Sequence, residues 1–189
     1  MKTTNIMIVG VGGQGSLLAS KLLGNLLAGE GYDVKVSEVH GMSQRGGSVV
    51  TYVRFGERVY SPIIDKGEAD FIVAFEKIEA ARYASHLKMG GKIIVNTQEI
   101  EPMPVITGAA EYQTDALERL CDKGISVDAL DALSPATEAG SAKAVNIVLM
   151  GRLSRYMDIP EEKWIEAIKA SVAPKFVELN LKAFGLGRG

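Results

Sequence analysis

Four glycines follow a short apolar run near the start of the chain, in the segment GVGGQGS at residues 10–16, and Gly10, Gly12 and Gly15 among them form a recognisable motif. Their spacing, Gly-x-Gly-x-x-Gly, is that of a dinucleotide-binding turn, in which glycine permits a tight turn and a close approach of the backbone to phosphate. The amino terminus of the helix that follows carries roughly half a positive charge, which favours a bound anion. The candidate cofactor-binding or interface residues of this first loop are Gly10, Gly12, Gly13, Gln14, Gly15 and Ser16.

A second glycine-rich segment, EVHGMSQRGGS, occupies residues 38–48. Arg45 stands next to two glycines and can present its guanidinium group and unobstructed amides to a phosphate or carboxylate. Glu38 is near the end of the second predicted strand, where a dinucleotide fold has an acidic residue. His40 can titrate near neutral pH. The candidate residues of this second loop are Glu38, His40, Ser43, Gln44, Arg45, Gly46 and Gly47.

Strands and helices alternate along the chain and must position the two loops. Apolar runs predict strands at residues 4–9, 32–39, 69–75, 90–97 and 125–130, and helical periodicity predicts helices at 15–31, 76–87, 115–122 and from 139 onward. Pro160 and Pro174 are expected to open new helices. We therefore predict a Rossmann-like, doubly wound α/β fold with a mainly parallel sheet and a helical C-terminal extension.

Residues 49–64 are the irregular part of this pattern. They alternate between apolar and polar side chains on both sides of Gly56 and Glu57, which predicts a β-hairpin inserted into the sheet. The chain has neither repeats nor linkers, so we expect residues 1–189 to form a single domain.

Composition limits the chemistry that this chain can carry alone. With one cysteine and two histidines it cannot build an iron–sulfur cluster, and a zinc or multi-histidine metal site is not expected. Cys121 is predicted to be a small core residue of a helix. The net charge of −2 gives no general attraction to nucleic acid or an anionic membrane, and no apolar run suits a signal peptide or a membrane span. We expect a cytoplasmic protein.

Three segments resemble the gamma-type module of the 2-oxoacid:ferredoxin oxidoreductases: GVGGQGSLLASKLLG, SEVHGMSQRGGSVVTYVRFGERVYSPII and GEADFIVAFEKIEAARY. The likeness extends over nearly the whole chain, and residues 1–189 are identified as one such pyruvate/ketoisovalerate oxidoreductase gamma-type domain. The segment EVHGMSQRGGSV is similar to the beta subunit of the indolepyruvate members of the family in particular.

The resemblance implies a division of labour. The family converts a 2-oxoacid and coenzyme A to an acyl-CoA, carbon dioxide and reduced ferredoxin. Thiamine diphosphate, its magnesium ion and the iron–sulfur clusters are expected on a large alpha subunit. The present chain would hold no catalytic residue, would help to position coenzyme A, and would meet ferredoxin only through the complex. In isolation we expect an inactive chain, with a homodimer as the favoured assembly.

Two alternatives remain open at the level of sequence. The first loop and Glu38 are also compatible with a free-standing NAD(P)-dependent enzyme. Both loops are also compatible with an assembly module that binds no ligand, because strand–helix turns use glycine for packing alone and an exposed arginine is ordinarily solvated. Nucleotide titration of the isolated chain distinguishes the first alternative, and protection of the complex by coenzyme A distinguishes the second.

Overall fold

The computed structural model describes residues 3–38 and 42–189, and six strands in this described part form one sheet. The strands are β1 (Thr4–Val11), β2 (Asp33–Glu38), β3 (Ser48–Gly56), β4 (Ala69–Ala74), β5 (Leu87–Asn96) and β6 (Ser126–Leu130). Their order across the sheet is β2-β3-β1-β4-β5-β6. β1, β4, β5 and β6 pair in parallel, whereas β3 is antiparallel to both β1 and β2.

Eight α-helices lie in the same described ranges. They are α1 (Ser16–Gly29), α2 (Lys77–Tyr83), α3 (Met103–Ile106), α4 (Ala116–Asp122), α5 (Leu133–Ala139), α6 (Val145–Ser154), α7 (Glu161–Ser171) and α8 (Val177–Arg188). Measured over residues 3–38 and 42–189, none of them has both the length and the apolarity needed to cross a membrane.

Apolar side chains of alternating strand residues build one core layer on each face of the sheet. Along β1, Ile6 and Ile8 pack with helices α1, α5, α6, α7 and α8, whereas Met7 and Val9 pack on the opposite face with α2 and α4. A strand covered on both faces is apolar at every position, which explains the uninterrupted run in the sequence. The prediction of a doubly wound, mainly parallel α/β sheet with a helical C-terminal extension is confirmed.

The predicted β-hairpin within residues 49–64 is wrong in its second arm. β3 ends at Gly56, and residues 57–68 contain no strand. The reason is that β1 and β2 already occupy both edges of β3, so no edge is left for a returning arm. The apolar alternation in this segment instead buries Val59, whose amide donates to Asp33 Oδ2 at 2.8 Å.

Cys121 was expected in the core and is exposed. α4 turns Ala116 and Leu120 toward the sheet, and the next residue along the helix points about 100° away from that face. The helical periodicity was therefore correct, and the side assigned to this one residue was wrong.

The C-terminal helices α7 and α8 begin at the positions predicted from Pro160 and Pro174. α7 starts directly after Pro160, and a short turn at Pro174–Phe176 leads into α8. Trp164 of α7 is completely buried and stacks on Phe184 of α8, with ring centroids 5.8 Å apart. Trp164 is thus a core residue.

Candidate functional site

The two glycine-rich loops meet at the carboxyl edge of the parallel strands. The first loop connects β1 to α1, and the second lies between β2 and β3. The amide of Gly12 donates to the carbonyl oxygen of Gly47 at 2.8 Å. A Cβ at Gly12 would lie 2.3 Å from the Ser43 carbonyl oxygen and from the Gln44 carbonyl carbon. Because real Cβ contacts are never that short, the loops touch backbone to backbone only if residue 12 is glycine.

Gln14 ties the first loop to the ends of the central strands. Its Oε1 accepts from the amide of Val11 at 2.7 Å, and its Nε2 donates to the carbonyl of Phe75 at 3.1 Å and to Gln98 Oε1 at 3.3 Å. Phe75 follows β4 and Gln98 follows β5. The side-chain amide that the sequence offered for ligand binding is therefore engaged inside the fold.

The other glycines of the first loop are required for different physical reasons. Gly13 and Gly15 have φ angles of 100° and 89°, in the left-handed region that favours glycine. A Cβ at Gly10 would lie 2.9 Å from Phe75 Cβ. The carbonyl of Gly15 accepts from Asn146 Nδ2 of α6 at 3.2 Å, so the amino-terminal end of α1 is held by a helix more than 120 residues away in sequence.

A cleft of about 300 Å³ opens between the loops on the α1 face of the sheet. Its lining comprises Gly12, Gly13, Gly15, Ser16, Leu17, Glu38, Gln44, Val49 and Thr51. Glu38 and Thr51 are cross-strand neighbours on β2 and β3, and Ser20 of α1 donates to Glu38 Oε1 at 2.5 Å. Thr51 is 3% exposed, and its hydroxyl makes no hydrogen bond to the described residues.

The electrostatics of this cleft favour an anion. α1 begins beside it with Gly15 as the capping residue, so no side chain occupies the helix terminus, and its first turn contains no acidic residue. The first amide groups of a helix lack partners within the helix, and the macrodipole adds about half a positive charge at that end. The cleft therefore offers amide donors to an anionic group, with a carboxylate and a hydroxyl for a second, neutral group.

Only part of the second loop lines this cleft. Gln44 lines it, Arg45 is exposed, and Gly46, with a φ angle of 88°, turns the chain back toward β3. The Arg45 guanidinium has no hydrogen bond or ion pair with residues 3–38 or 42–189, as expected for a side chain at the surface. His40, also predicted for the site, lies outside the described residues.

Sequence reasoning missed two buried carboxylates on the other face of the sheet. Glu76 is 1% exposed and Glu79 is 4% exposed, and both line a second cleft of about 220 Å³. Gly46, Gly47 and Ser48 form part of its wall, so the second glycine loop separates the two clefts. The signal was present in the sequence, because Glu76 and Glu79 come soon after the carboxyl end of the buried strand β4.

Glu76 organises the segments around this second cleft. It caps the amino terminus of α2, where its side chain accepts from the amide of Glu79 at 3.0 Å. Its other oxygen accepts from the Tyr112 hydroxyl and from the amide of Ile100 at 3.4 Å. Burial, and then the hydrogen bond to Glu76, raise the pKa of the Tyr112 hydroxyl far above its usual value, so this group stays a neutral donor.

The described groups are suited to binding and positioning. Helix-terminal amides, a carboxylate and a hydroxyl line the cleft and are available to a ligand, and in the described ranges no three His, Cys, Asp or Glu side chains are grouped to hold a metal ion.

Comparison with known proteins gives both a family and a fold. Residues 5–189 match the family described as pyruvate ferredoxin/flavodoxin oxidoreductase. The chain is 47% identical over 192 residues to indolepyruvate oxidoreductase subunit IorB of Thermococcus kodakarensis, a match that covers 99% of this chain and 95% of that protein.

Two solved structures share the fold. The gamma subunit of keto/oxoacid ferredoxin oxidoreductase from Geobacter sulfurreducens is similar with a TM-score of 0.71 and 24% identity, covering 97% of this chain and 95% of that one. The 2-oxoglutarate:ferredoxin oxidoreductase of Magnetococcus marinus, described with 2-oxoglutarate, coenzyme A and succinyl-CoA bound, is similar with a TM-score of 0.76 and 20% identity. That match covers 100% of this chain and 31% of the longer one.

Proposed function

The chain belongs to the pyruvate ferredoxin/flavodoxin oxidoreductase family, and on this premise we propose that it is the beta, gamma-type, subunit of an indolepyruvate:ferredoxin oxidoreductase. The observation that carries the proposal is the 47% identity, across 99% of the chain, to a protein named as an indolepyruvate oxidoreductase subunit. In the proposed reaction an aryl pyruvate loses carbon dioxide and its acyl carbon forms a thioester with coenzyme A. The thiol proton is released and two electrons pass to ferredoxin.

The proposed division of labour leaves the bond-breaking steps to a large alpha subunit. Thiamine diphosphate with magnesium and the iron–sulfur clusters, held by that partner, would supply decarboxylation and electron transfer. The present chain does not fit a cluster, because Cys121 is its one cysteine, is exposed, and cannot replace the four thiolates a cluster normally uses. Residues 1–189 would form one domain of a cytoplasmic enzyme that acts in anaerobic amino-acid catabolism. The isolated chain would be an inactive homodimer.

The role proposed for this chain is to hold an anionic group of coenzyme A at the amino terminus of α1. The uncapped helix end, the cleft beside it and the absence of acid in its first turn support this assignment. Gln44 and Arg45 of the second loop are proposed to contact the ligand from the opposite side. The glycines of both loops would shape the contact surface.

Reconstitution with the alpha subunit tests the function. The complex should reduce ferredoxin in a reaction that requires coenzyme A, and indolepyruvate should have a kcat/KM about tenfold or more above those of pyruvate and 2-oxoglutarate. The alpha subunit alone is the control and should show little coenzyme A-dependent turnover. A complex that favours pyruvate would remove the assignment to indolepyruvate. An isolated chain that binds NAD(P) and oxidises a substrate would support the free-standing enzyme instead.

Replacement of Arg45 by alanine should weaken coenzyme A binding without unfolding the chain. Because Arg45 is exposed, the free energy of unfolding should change by no more than about 0.5 kcal/mol. Loss of a charge-assisted contact to an anion costs about 1.5–3 kcal/mol, which corresponds to a rise in the KM for coenzyme A of roughly 10- to 150-fold. Thermal melts of the chain and steady-state kinetics of the complex measure the two effects.

Arg58→Ala is the matched control for Arg45→Ala. Arg58 is also exposed, but it follows the far end of β3, at the opposite edge of the sheet. It should leave the KM for coenzyme A unchanged. If Arg45→Ala leaves this KM at the wild-type value and lowers the melting temperature strongly, Arg45 has a structural role.

A further inference from the structure

Glu79 of α2 connects a helix of the second cleft to the second glycine loop. One carboxylate oxygen accepts from the hydroxyl of Ser48, and the other accepts from Arg82 Nε at 3.0 Å. Ser48 is the first residue of β3 and directly follows the loop. The Glu79 side chain is 6% exposed, whereas that of Arg82 is 50% exposed, so the carboxylate is buried and its countercharge reaches the surface.

The loop is thereby held at two points near its C-terminal end. Gly47 accepts from the Gly12 amide on the side of the first loop, and Ser48 donates to Glu79 on the side of α2. Within the loop, the amide of Gly47 donates to the Ser43 carbonyl at 2.9 Å, and that of Arg45 donates to the Met42 carbonyl at 3.0 Å. A change at Ser48 is therefore transmitted through few bonds to Gln44 and Arg45.

Burying an ionised carboxylate where a helix packs against its neighbours costs free energy. Removing a charge from water is offset only by well-placed partners, and apolar residues of similar volume often stabilise a fold equally well. Glu79 is also three residues from Glu76, a second buried carboxylate, which caps the same helix. A carboxylate provides two acceptor oxygens, one for the Ser48 hydroxyl and one for Arg82, whereas an apolar side chain provides none and an amide provides only one.

We infer that Glu79 is a positioning residue, which orients the second glycine loop so that Arg45 meets the anionic group of coenzyme A. The inference rests on the proposed function for its ligand. It assigns to Glu79 an effect on coenzyme A affinity that is exerted through Arg45, although Glu79 itself faces the other cleft.

The kinetic test uses the reconstituted complex and compares Glu79→Gln with Glu166→Gln. Glu166 forms an exposed ion pair of the same spacing with Lys163 on α7, away from both loops. Glu79→Gln should raise the KM for coenzyme A about tenfold with kcat within about twofold of wild type, and Glu166→Gln should change neither. In an Arg45→Ala background, Glu79→Gln should add less than about twofold, because the residue through which it acts is gone.

Ser48 provides a second pair of variants. Ser48→Ala should reproduce the effect of Glu79→Gln, and Ser48→Thr, which keeps the hydroxyl, should remain near wild type. A full and additive effect of Glu79→Gln in the Arg45→Ala background would overturn the inference. So would a lowered melting temperature with an unchanged KM, since that is the signature of a purely structural residue.

Hydrogen exchange of the isolated chain separates this inference from the proposed function. Amides of residues 43–48 should exchange several-fold faster in Glu79→Gln than in the wild type or in Glu166→Gln. Unchanged exchange in this segment overturns the positioning role whatever the enzyme does. If exchange rises but the wild-type complex needs no coenzyme A, the positioning of the loop stands and the proposed function fails.

Discussion

Replacement of Gly12 by valine should separate the two glycine loops and destabilise the chain by about 2–4 kcal/mol. A Cβ at this position would lie 2.3 Å from backbone atoms of both Ser43 and Gln44, and backbone cannot rotate away as a side chain can. Overpacking of this kind costs about 1–3 kcal/mol, and loss of the hydrogen bond from Gly12 to Gly47 adds about 1 kcal/mol. In the complex, the displaced loop should abolish most coenzyme A-dependent turnover. Chemical denaturation and the kinetics of the complex measure both losses.

Gly13→Ala is the control that separates loop contact from backbone strain. No atom lies within 4 Å of a Cβ at Gly13, and the substitution meets only the cost of a left-handed φ angle, about 1–2 kcal/mol. Gly13→Ala should therefore retain assembly and turnover at a reduced melting temperature. A Gly12→Val chain that melts with the wild type, joins its partner and turns over fully would show that the contact between the loops is dispensable.

Replacement of Gly187 by alanine should destabilise the chain by about 3 kcal/mol or more, although it adds a single methyl group. A Cβ at Gly187 would lie 2.0 Å from the carbonyl oxygen of Val148, and one at Gly151 would lie 2.2 Å from the carbonyl oxygen of Phe184. Helices α6 and α8 thus cross with their backbones in contact, and the added methyl group must push them apart. Because Asn146 at the start of α6 holds the Gly15 carbonyl, coenzyme A kinetics should also change.

Gly185→Ala, two residues away on the same helix, should change the free energy of unfolding in the opposite direction. Gly185 is exposed and a Cβ there meets nothing within 4 Å. Alanine in a helix interior is favoured over glycine by about 0.5–1 kcal/mol, so this variant should be slightly more stable than wild type. Equal free energies of unfolding for the Gly185 and Gly187 variants would mean that the helices do not cross at this distance.

The local sequence pattern predicted a strand or helix correctly wherever residues close to it in the chain decide its structure. The apolar run at β1, the leucine-rich face of α1 and the prolines before α7 and α8 each predicted an element that forms. The spacing of Gly10, Gly12 and Gly15 likewise predicted a tight turn between strand and helix. These signals succeed because periodicity and turn preference act over a few residues.

The failures share one cause, which is dependence on distant residues. The second arm of the hairpin within residues 49–64 is lost because β1 and β2 occupy both edges of β3. Cys121 is exposed because the sheet lies against the other side of α4. Distant residues also decide what the local pattern leaves open, since the side chain of Gln14 bonds to Phe75 and Gln98 because β4 and β5 end beside the first loop.

By itself the sequence determined the alternation of strands with helices and the two glycine-rich loops that follow β1 and β2. Only the tertiary structure decided that the loops touch through Gly12 and Gly47, and that Glu79 supports the second loop from the opposite face. The physical reason is the separation along the chain over which each kind of interaction acts. Backbone preference and hydrophobic period act between near neighbours in the chain, whereas a hydrogen bond or a close approach depends on which distant segments the packed sheet brings within about 3 Å.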